Sequence, residues 1–253
     1  MQQTIAANLE VIERAMKLAS ARGERICVFS ELAVTGFHLE IRAEAVAGKV
    51  EPAVARVQAL CRSLSMACGV GAPTFAAAGG AIYNSYLHID EHGELVGQVD
   101  KVGQTVAEST FFHGGLGRPL SVLQGCRTTA VMCCEIEDTR LIRHHLPPGA
   151  AELIFWPGLM GRARDDEDNV DPVPLVRDIA RKSNAWIVQN NWPSSLNLPD
   201  DAPFQSQLGG GKVISPAGEL LLSLPLREPG IATFDLGATA LVWDPWLEVA
   251  AAA

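Results

Sequence analysis

The order of apolar segments restricts the fold more than any other feature of this chain. Helix-period and strand-period stretches alternate from end to end, which alone would suggest a doubly wound parallel sheet. Two hairpin signals break that reading. Asp90-Glu91-His92-Gly93 separates apolar stretches over 83–89 and 95–99, and Pro216-Ala217-Gly218 separates 211–215 from 219–224. An α/β chain with antiparallel pairs inserted among its helices is accounted for by two sheets, each covered by helices on its outer face.

The spacing predicts a first helix over 6–21, with Leu9, Ile12, Met16 and Ala19 on one face and Gly23 as its stop. A short strand over 25–29 and a helix over 51–67 follow, the helix carrying Val54, Val57, Cys61 and Leu64 on one side. Further strands are expected over 69–74, 128–133, 152–156, 185–190 and 231–235, and helices over 138–146 and 173–184. Residues 102–127, with five glycines, read as mostly irregular, 158–172 as a charged loop, and the tail with Trp243 and Trp246 as a helix or an arm. No linker or repeat divides the chain, so 1–253 is expected to be one domain.

Composition narrows the function. At 48% hydrophobic and 19% charged residues the chain is globular in composition. A net charge of -9 argues against nucleic acid as a partner. The densest basic segment, Arg140, Arg143, His144 and His145, reads as one solvated or interface face of a helix. The longest stretch free of charge, 63–89, is broken by Gly69, Gly71, Pro73, Gly79 and Gly80, so no membrane helix is expected there. The six cysteines show no CxxC pairing and no histidine at metal spacing. With no export signal at Met1–Glu10, they read as reduced thiols of a cytoplasmic protein, most of them core residues.

Three segments carry reactive side chains. Phe29-Ser30-Glu31-Leu32 puts a carboxylate at the end of an apolar strand, either a solvated strand-end glutamate or a general base at a sheet edge. Lys101 follows the first hairpin and precedes the glycine-rich stretch. It is either solvated or set in the kind of segment that lines pockets. Ala130-Val131-Met132-Cys133-Cys134-Glu135 places a thiol at the end of a buried strand, as a structural cysteine or as a nucleophile.

Taken in order, these segments resemble the nitrilase, or carbon–nitrogen hydrolase, superfamily over nearly the whole chain. Val28-Phe29-Ser30-Glu31-Leu32-Ala33-Val34-Thr35-Gly36-Phe37 is similar to its FPELxLTGY motif. Tyr83-Asn84-Ser85 through Gly93 and on to Lys101 is similar to YNS…DxxGxxxGxYxK, and Glu108, Phe112 and Gly115 to ExxxFxxG. Cys133-Cys134-Glu135 is similar to C-x-[DE], and Gly210 through Glu219 to the late GG…I…PxGE hairpin. The resemblance implies a four-layer α-β-β-α sandwich, a Glu31–Lys101–Cys133 triad and no cofactor or metal. It also implies hydrolysis of a small amide or carbamoyl substrate through a Cys thioester. Glu108, Cys134 and Glu135 would be substrate-binding groups or supports for the triad. Nitrile hydrolysis by the same triad is the alternative, against which stands Cys134 where nitrile-specific members usually carry Trp; a catalytically idle binding or scaffold protein on the same fold is another.

The departures are Ser30 for the usual Pro, Cys134 for an aromatic residue or Arg, and Ile136 to Arg140 in place of RFPE. Two adjacent cysteines leave the nucleophile open by one position. Cys133 is favoured because Glu135 then fills the acidic place and Arg143 the later arginine, and because strand neighbours point to opposite faces. The family's opening apolar strand has no counterpart before the first helix, so that slot is expected to be empty or filled by another segment or by a partner chain. A homodimer or higher homo-oligomer is expected, with Arg140 to Leu146 and Trp243 to Leu247 at or near its interface. The loops over 37–50, 103–120 and 158–172 are expected to shape specificity. Limited alkylation with iodoacetamide followed by peptide mass mapping should place the label on Cys133; a label on Cys134 would reverse the assignment.

Overall fold

The computed structural model describes residues 3–38, 40–77, 79–158, 173–197, 208–237 and 240–245. Helix α1 (Ile5–Ala21) starts at Thr4, whose side chain accepts from the Ala7 N–H, and buries Leu9, Ile12, Met16 and Ala19 as the periodicity requires. Strand β1 (Ile26–Val28) and helix α2 (Ala47–Leu64) follow. α2 begins four residues before the expected 51, because Pro52 lies inside the helix rather than in its first turn. Ser65, at φ 51°, ends it.

Strands β2 (Ala67–Phe75), β3 (Ile82–Ile89) and β4 (Leu95–Asp100) complete a four-stranded sheet in the order β1-β2-β3-β4. β1 runs parallel to β2, and the other pairs are antiparallel. The β3–β4 hairpin turns where the sequence places it, with Asp90 Oδ1 accepting from the N–H groups of His92 (2.9 Å) and Glu94 (2.8 Å).

The second sheet holds β5 (Ser121–Leu123), β6 (Cys126–Ala130), β7 (Leu153–Pro157), β8 (Trp186–Asn190), β9 (Lys212–Ile214) and β10 (Leu220–Ser223) in the order β10-β9-β8-β7-β6-β5. Helices α3 (Thr139–His145) and α4 (Val173–Ser183) belong to this half. β5 lies inside the stretch read as mostly irregular. Its two-residue link to β6, Gln124-Gly125, has φ of 50° and 81°, the positive pair that matches a hairpin's twist. β6 stops at Ala130, short of the expected 133, so the two adjacent cysteines lie beyond the strand in a short 3-10 turn (Cys133–Glu137).

The side-chain clusters give the layer order. α1 and α2 pack on one face of the first sheet, through Ile12, Met16, Val57 and Cys61 against Cys68, Val70 and Leu87. α3 and α4 pack on one face of the second, through Ile142, Val176 and Ile179 against Ile154, Trp156 and Ile187. Between the sheets, Ala67, Tyr86 and Val99 meet Ala130, Met132, Leu153 and Phe155. The result is the four-layer α-β-β-α sandwich, with the inner faces sealed from water.

A third, two-stranded sheet pairs β11 (Gly230–Thr233) with β12 (Val242–Pro245). Trp243 therefore sits in a strand opposite Ala232, not in the helix or arm expected of the tail. Trp246 and Leu247 lie outside the described residues, as do 159–172. Arg22, just after α1, reaches this hairpin at Asp244 and Thr233. β1 is an edge strand of its sheet, and Asn190 Nδ2 of the opposite sheet donates to its Val28 carbonyl at 2.9 Å. Among the described residues no helix is long and apolar enough to cross a membrane.

β2 approaches the segment after β1 so closely that a Cβ at Gly71 would stand 2.3 Å from the Leu32 nitrogen and 2.7 Å from the Ser30 carbonyl oxygen. Both are backbone atoms and cannot swing away. Gly71→Ala should destabilise the protein by about 1–3 kcal/mol, read as a fall of several degrees in melting temperature. Gly48→Ala, in α2 with open space around it, serves as the control and should leave the melting temperature level or higher.

Candidate active site

Three strand ends converge at one end of the sandwich. After β1 the chain enters a turn that carries Glu31. Gly36 N–H donates to the Leu32 carbonyl at 2.8 Å, and Val34 N–H ties the turn to β2 at Gly71 (3.0 Å). After β4 comes Lys101, whose N–H donates to the Asn84 carbonyl of β3 and whose carbonyl accepts from Gly115, both at 2.8 Å. After β6 comes Cys133, at φ 49°, a left-handed backbone rarely adopted by a residue with a side chain.

Glu31 and Lys101 are both fully buried, and Lys101 Nζ donates to Glu31 Oε1 at 2.8 Å. The same ammonium donates to Glu108 Oε1 at 2.5 Å. Asn84 Nδ2 bridges the two carboxylates, at 2.8 Å from Glu31 and 3.3 Å from Glu108. Cys133 meets this group at Gly158, just past β7. A Cβ built there would lie 2.8 Å from Cys133 Cβ and 2.9 Å from Glu31 Oε2. That Oε2 has no hydrogen-bond partner, so the unpartnered oxygen of Glu31 lies toward Cys133.

Two carboxylates sharing one ammonium cannot be equivalent, and their surroundings separate them. Glu108 is desolvated by burial, but Lys101 and the N–H and hydroxyl of Thr105, at 2.9 and 2.8 Å, outweigh this and hold its carboxyl below the usual range. Glu31 is raised well above the usual range: burial dominates, Lys101 opposes it, and the Cys133 and Glu108 charges add to the rise. Burial works against the Lys101 ammonium, yet Glu31, Cys133 and Glu108 together lift it well above its usual value, so it stays charged.

The two adjacent thiols perturb each other in opposite directions. The contact with Cys134, and then burial, raise the Cys133 thiol well above its usual value against the pull of Lys101. Cys134 is lowered by the bond from Cys133, with burial opposing and Lys101 assisting. Cys134 Sγ also reaches the Gly103 carbonyl at 3.8 Å. Because both cysteines lie in a turn, the strand-alternation argument for choosing between them does not hold. The choice rests on the geometry at Gly158, which involves Cys133.

Glu135, expected to bind substrate or support the triad, is buried with both oxygens occupied by protein donors. The guanidinium that meets it is Arg118, a residue the sequence reading did not single out. Two indoles also went unread in the sequence. Trp156 Nε1 donates to the Cys133 carbonyl and Trp192 Nε1 to the Glu31 carbonyl, each at 3.1 Å. A separate cleft of about 400 Å³, lined by Tyr83, Gln98, Asp100 and Arg118 among others, contains none of the triad. Among the described residues no group of three or more His, Cys, Asp and Glu side chains is placed to hold a metal.

The carbon–nitrogen hydrolase family model matches residues 1–192. The chain belongs to that family. No curated relative matches it by sequence. Among solved structures it is similar to the NitN amidase from Nesterenkonia sp. AN1, at 24% identity over 88% of this chain and 84% of that one, with a TM-score of 0.72. A glutamate-to-glutamine mutant of that amidase, carrying the acetamide moiety of fluoroacetamide added covalently at the active-site cysteine, matches at 24% identity, TM-score 0.72, over 89% of this chain and 84% of that one. A cysteine-to-alanine mutant of it in complex with butyramide matches at 24% identity and TM-score 0.69, over 88% and 82%. At this identity the likeness concerns the fold, and it agrees with the α-β-β-α layering of this carbon–nitrogen hydrolase.

Gly158, at φ 123°, leaves no room for a side chain between Cys133 Cβ and the Glu31 carboxylate. Gly158→Ala should slow alkylation of Cys133 by iodoacetamide by about 10-fold or more, since displacements of this size disturb reacting groups strongly. An unchanged rate would mean that Cys133 and Glu31 do not meet across this glycine.

Proposed function

We propose that this carbon–nitrogen hydrolase cleaves small amide or carbamoyl substrates by covalent catalysis, with Cys133 as nucleophile, Glu31 as general base and acid, and Lys101 as oxyanion stabiliser. The observation that carries the reading is the separation of the two carboxylates on one ammonium. Glu108 is saturated by donors and held low. Glu31 keeps one unpartnered oxygen beside Cys133 and is held high, where a base for a neutral-pH reaction is effective.

In this reading Cys133 Sγ attacks the carbonyl carbon as its proton passes to Glu31 Oε2. A thiol raised by its surroundings needs such a base. The developing oxyanion meets the Lys101 ammonium and the N–H of Cys134, which lies in the first turn of its 3-10 segment, where N–H groups lack partners within the turn. Collapse of the tetrahedral species breaks the C–N bond, Glu31 returns the proton to the leaving amine, and a thioester remains. Glu31 then takes a proton from water, the hydroxide adds to the thioester, and the acid departs as Cys133 regains its proton. Glu108 and Asn84 hold Lys101 and Glu31 in place throughout. The amides named with the Nesterenkonia amidase, butyramide and the acetamide moiety, make short aliphatic amides the first substrates to try.

The sign of the pH dependence follows from Glu31. Below its pKa the carboxyl is protonated and cannot accept the thiol proton; above it, the base is available. kcat/KM for an aliphatic amide should therefore rise with pH along an acid limb lying above the 4.5 of an ordinary glutamate. Glu31→Gln should lower kcat by about 100-fold or more and abolish that limb. Retention of the limb in Glu31→Gln would assign the base to another group.

A further inference from the structure

One buried ion pair outside the reacting groups joins two of the segments that carry them. Glu135 Oε1 accepts from the N–H groups of Val102 (2.7 Å) and Gly103 (2.9 Å), the two residues that follow Lys101. Its Oε2 accepts from the N–H of Met132 (2.7 Å), the residue before Cys133. Arg118 closes the set from the stretch leading into β5. Its Nη1 donates to Glu135 Oε2 and to the Ala130 carbonyl, both at 2.9 Å, and its Nη2 lies 2.7 Å from Oε1.

The chain around Lys101 and the chain around Cys133 thus meet on a single carboxylate, and one guanidinium holds that carboxylate. No strand pairing does this work, because β4 ends at Asp100 and β6 at Ala130. Cys133 itself is in the left-handed region, a conformation that persists only where its surroundings over-determine it. Every partner of Glu135 is a donor, so the carboxylate serves only as an acceptor-only ion, and a buried ion requires a counter-charge. Arg118 supplies it, and its bond to the Ala130 carbonyl fixes the guanidinium against the last residue of β6.

We infer that Arg118 is a positioning residue for the reaction, acting through Glu135 to set the spacing between the Lys101 ammonium and the Cys133 thiol. This rests on the proposed roles of Lys101 and Cys133. Arg118 touches neither of them and is remote in sequence from both.

Three variants test it: Arg118→Met, Arg118→Lys and the double variant Arg118→Met/Glu135→Met. Each is measured for kcat and KM on butyramide, for the rate of Cys133 alkylation by iodoacetamide, and for melting temperature. Arg118→Met should lose about 30- to 100-fold in kcat with KM within about 3-fold, the pattern of misplaced reacting groups rather than lost substrate contacts. Its alkylation rate should fall as well. Arg118→Lys, which keeps the charge but not the two-pronged contact, should recover about 10-fold over Arg118→Met. The double variant removes both charges but also strips the N–H groups of Val102, Gly103 and Met132 of their acceptor, so it should melt below the wild type yet above Arg118→Met, which leaves the Glu135 charge buried without its counter-ion. Its kcat and alkylation rate should stay low. That variant also decides the matter if Arg118→Met fails to fold. A double variant with kcat and alkylation within about 3-fold of wild type would overturn the inference, as would a loss confined to KM. If the wild type turns over no butyramide, the amide reading is in question on its own, and the alkylation rates still decide the role of Arg118.

Discussion

Everything in the active end of this protein depends on one charge arrangement: a single buried ammonium, Lys101, between two buried carboxylates, Glu31 and Glu108. Taking ions out of water costs several kcal/mol for each, and the arrangement persists only because each charge meets partners at hydrogen-bond distance. The imbalance of two against one sets the two carboxylates apart. Asn84 serves both carboxylates, but Thr105 gives Glu108 two further donors and Glu31 has none to match them, so its second oxygen is left without a partner. The sandwich makes this possible by closing two sheets over the inner ends of β1, β3, β4, β6 and β7. Neither sheet alone carries both the charge cluster and the thiol.

The backbone is bent to suit. Leu32, next to Glu31, and Cys133 itself have φ near 50°, a region that side chains avoid at a cost of about 1–3 kcal/mol each. Both are held by groups from elsewhere in the chain: the turn of Glu31 by Gly71 and the Trp192 indole, that of Cys133 by Trp156 and by Glu135 at Met132. Gly71 and Gly158 are the places where this bending brings chain against chain, and neither admits a Cβ without a clash.

Much of this was legible in the sequence, and what was not has physical causes. The long helices and the apolar strands show in their periodicity, and the hairpins at Asp90–Gly93 and Pro216–Gly218 in their turn chemistry. β5 was hidden because it is three residues long and its turn is Gln124-Gly125, where the strong signals are Asn or Asp before Gly. The start of α2 was misplaced because Pro52 marks a helix's first turn more often than its interior. Glu31, Lys101 and Cys133 could be picked out by order and context. Asn84 stood inside a noted segment, Tyr83-Asn84-Ser85, but has no ionisable group to attract notice. Arg118, Trp156 and Trp192 were beyond reach: they act on backbone groups or on a residue far along the chain, and contacts of that kind leave no local spacing.

The two indoles have a use apart from holding the chain. Trp156 and Trp192 each donate to the carbonyl of a residue that takes part in the proposed reaction, one on the nucleophile and one on the base. Indole emission responds to the polarity and hydrogen bonding of its ring nitrogen. Two of the chain's five tryptophans are therefore intrinsic optical probes, one on the carbonyl of Cys133 and one on that of Glu31, and Phe37 stacked on Trp192 at 4.9 Å distinguishes the environment of one from that of the other. A change at Cys133 or Glu31 is reported from inside the site without a label.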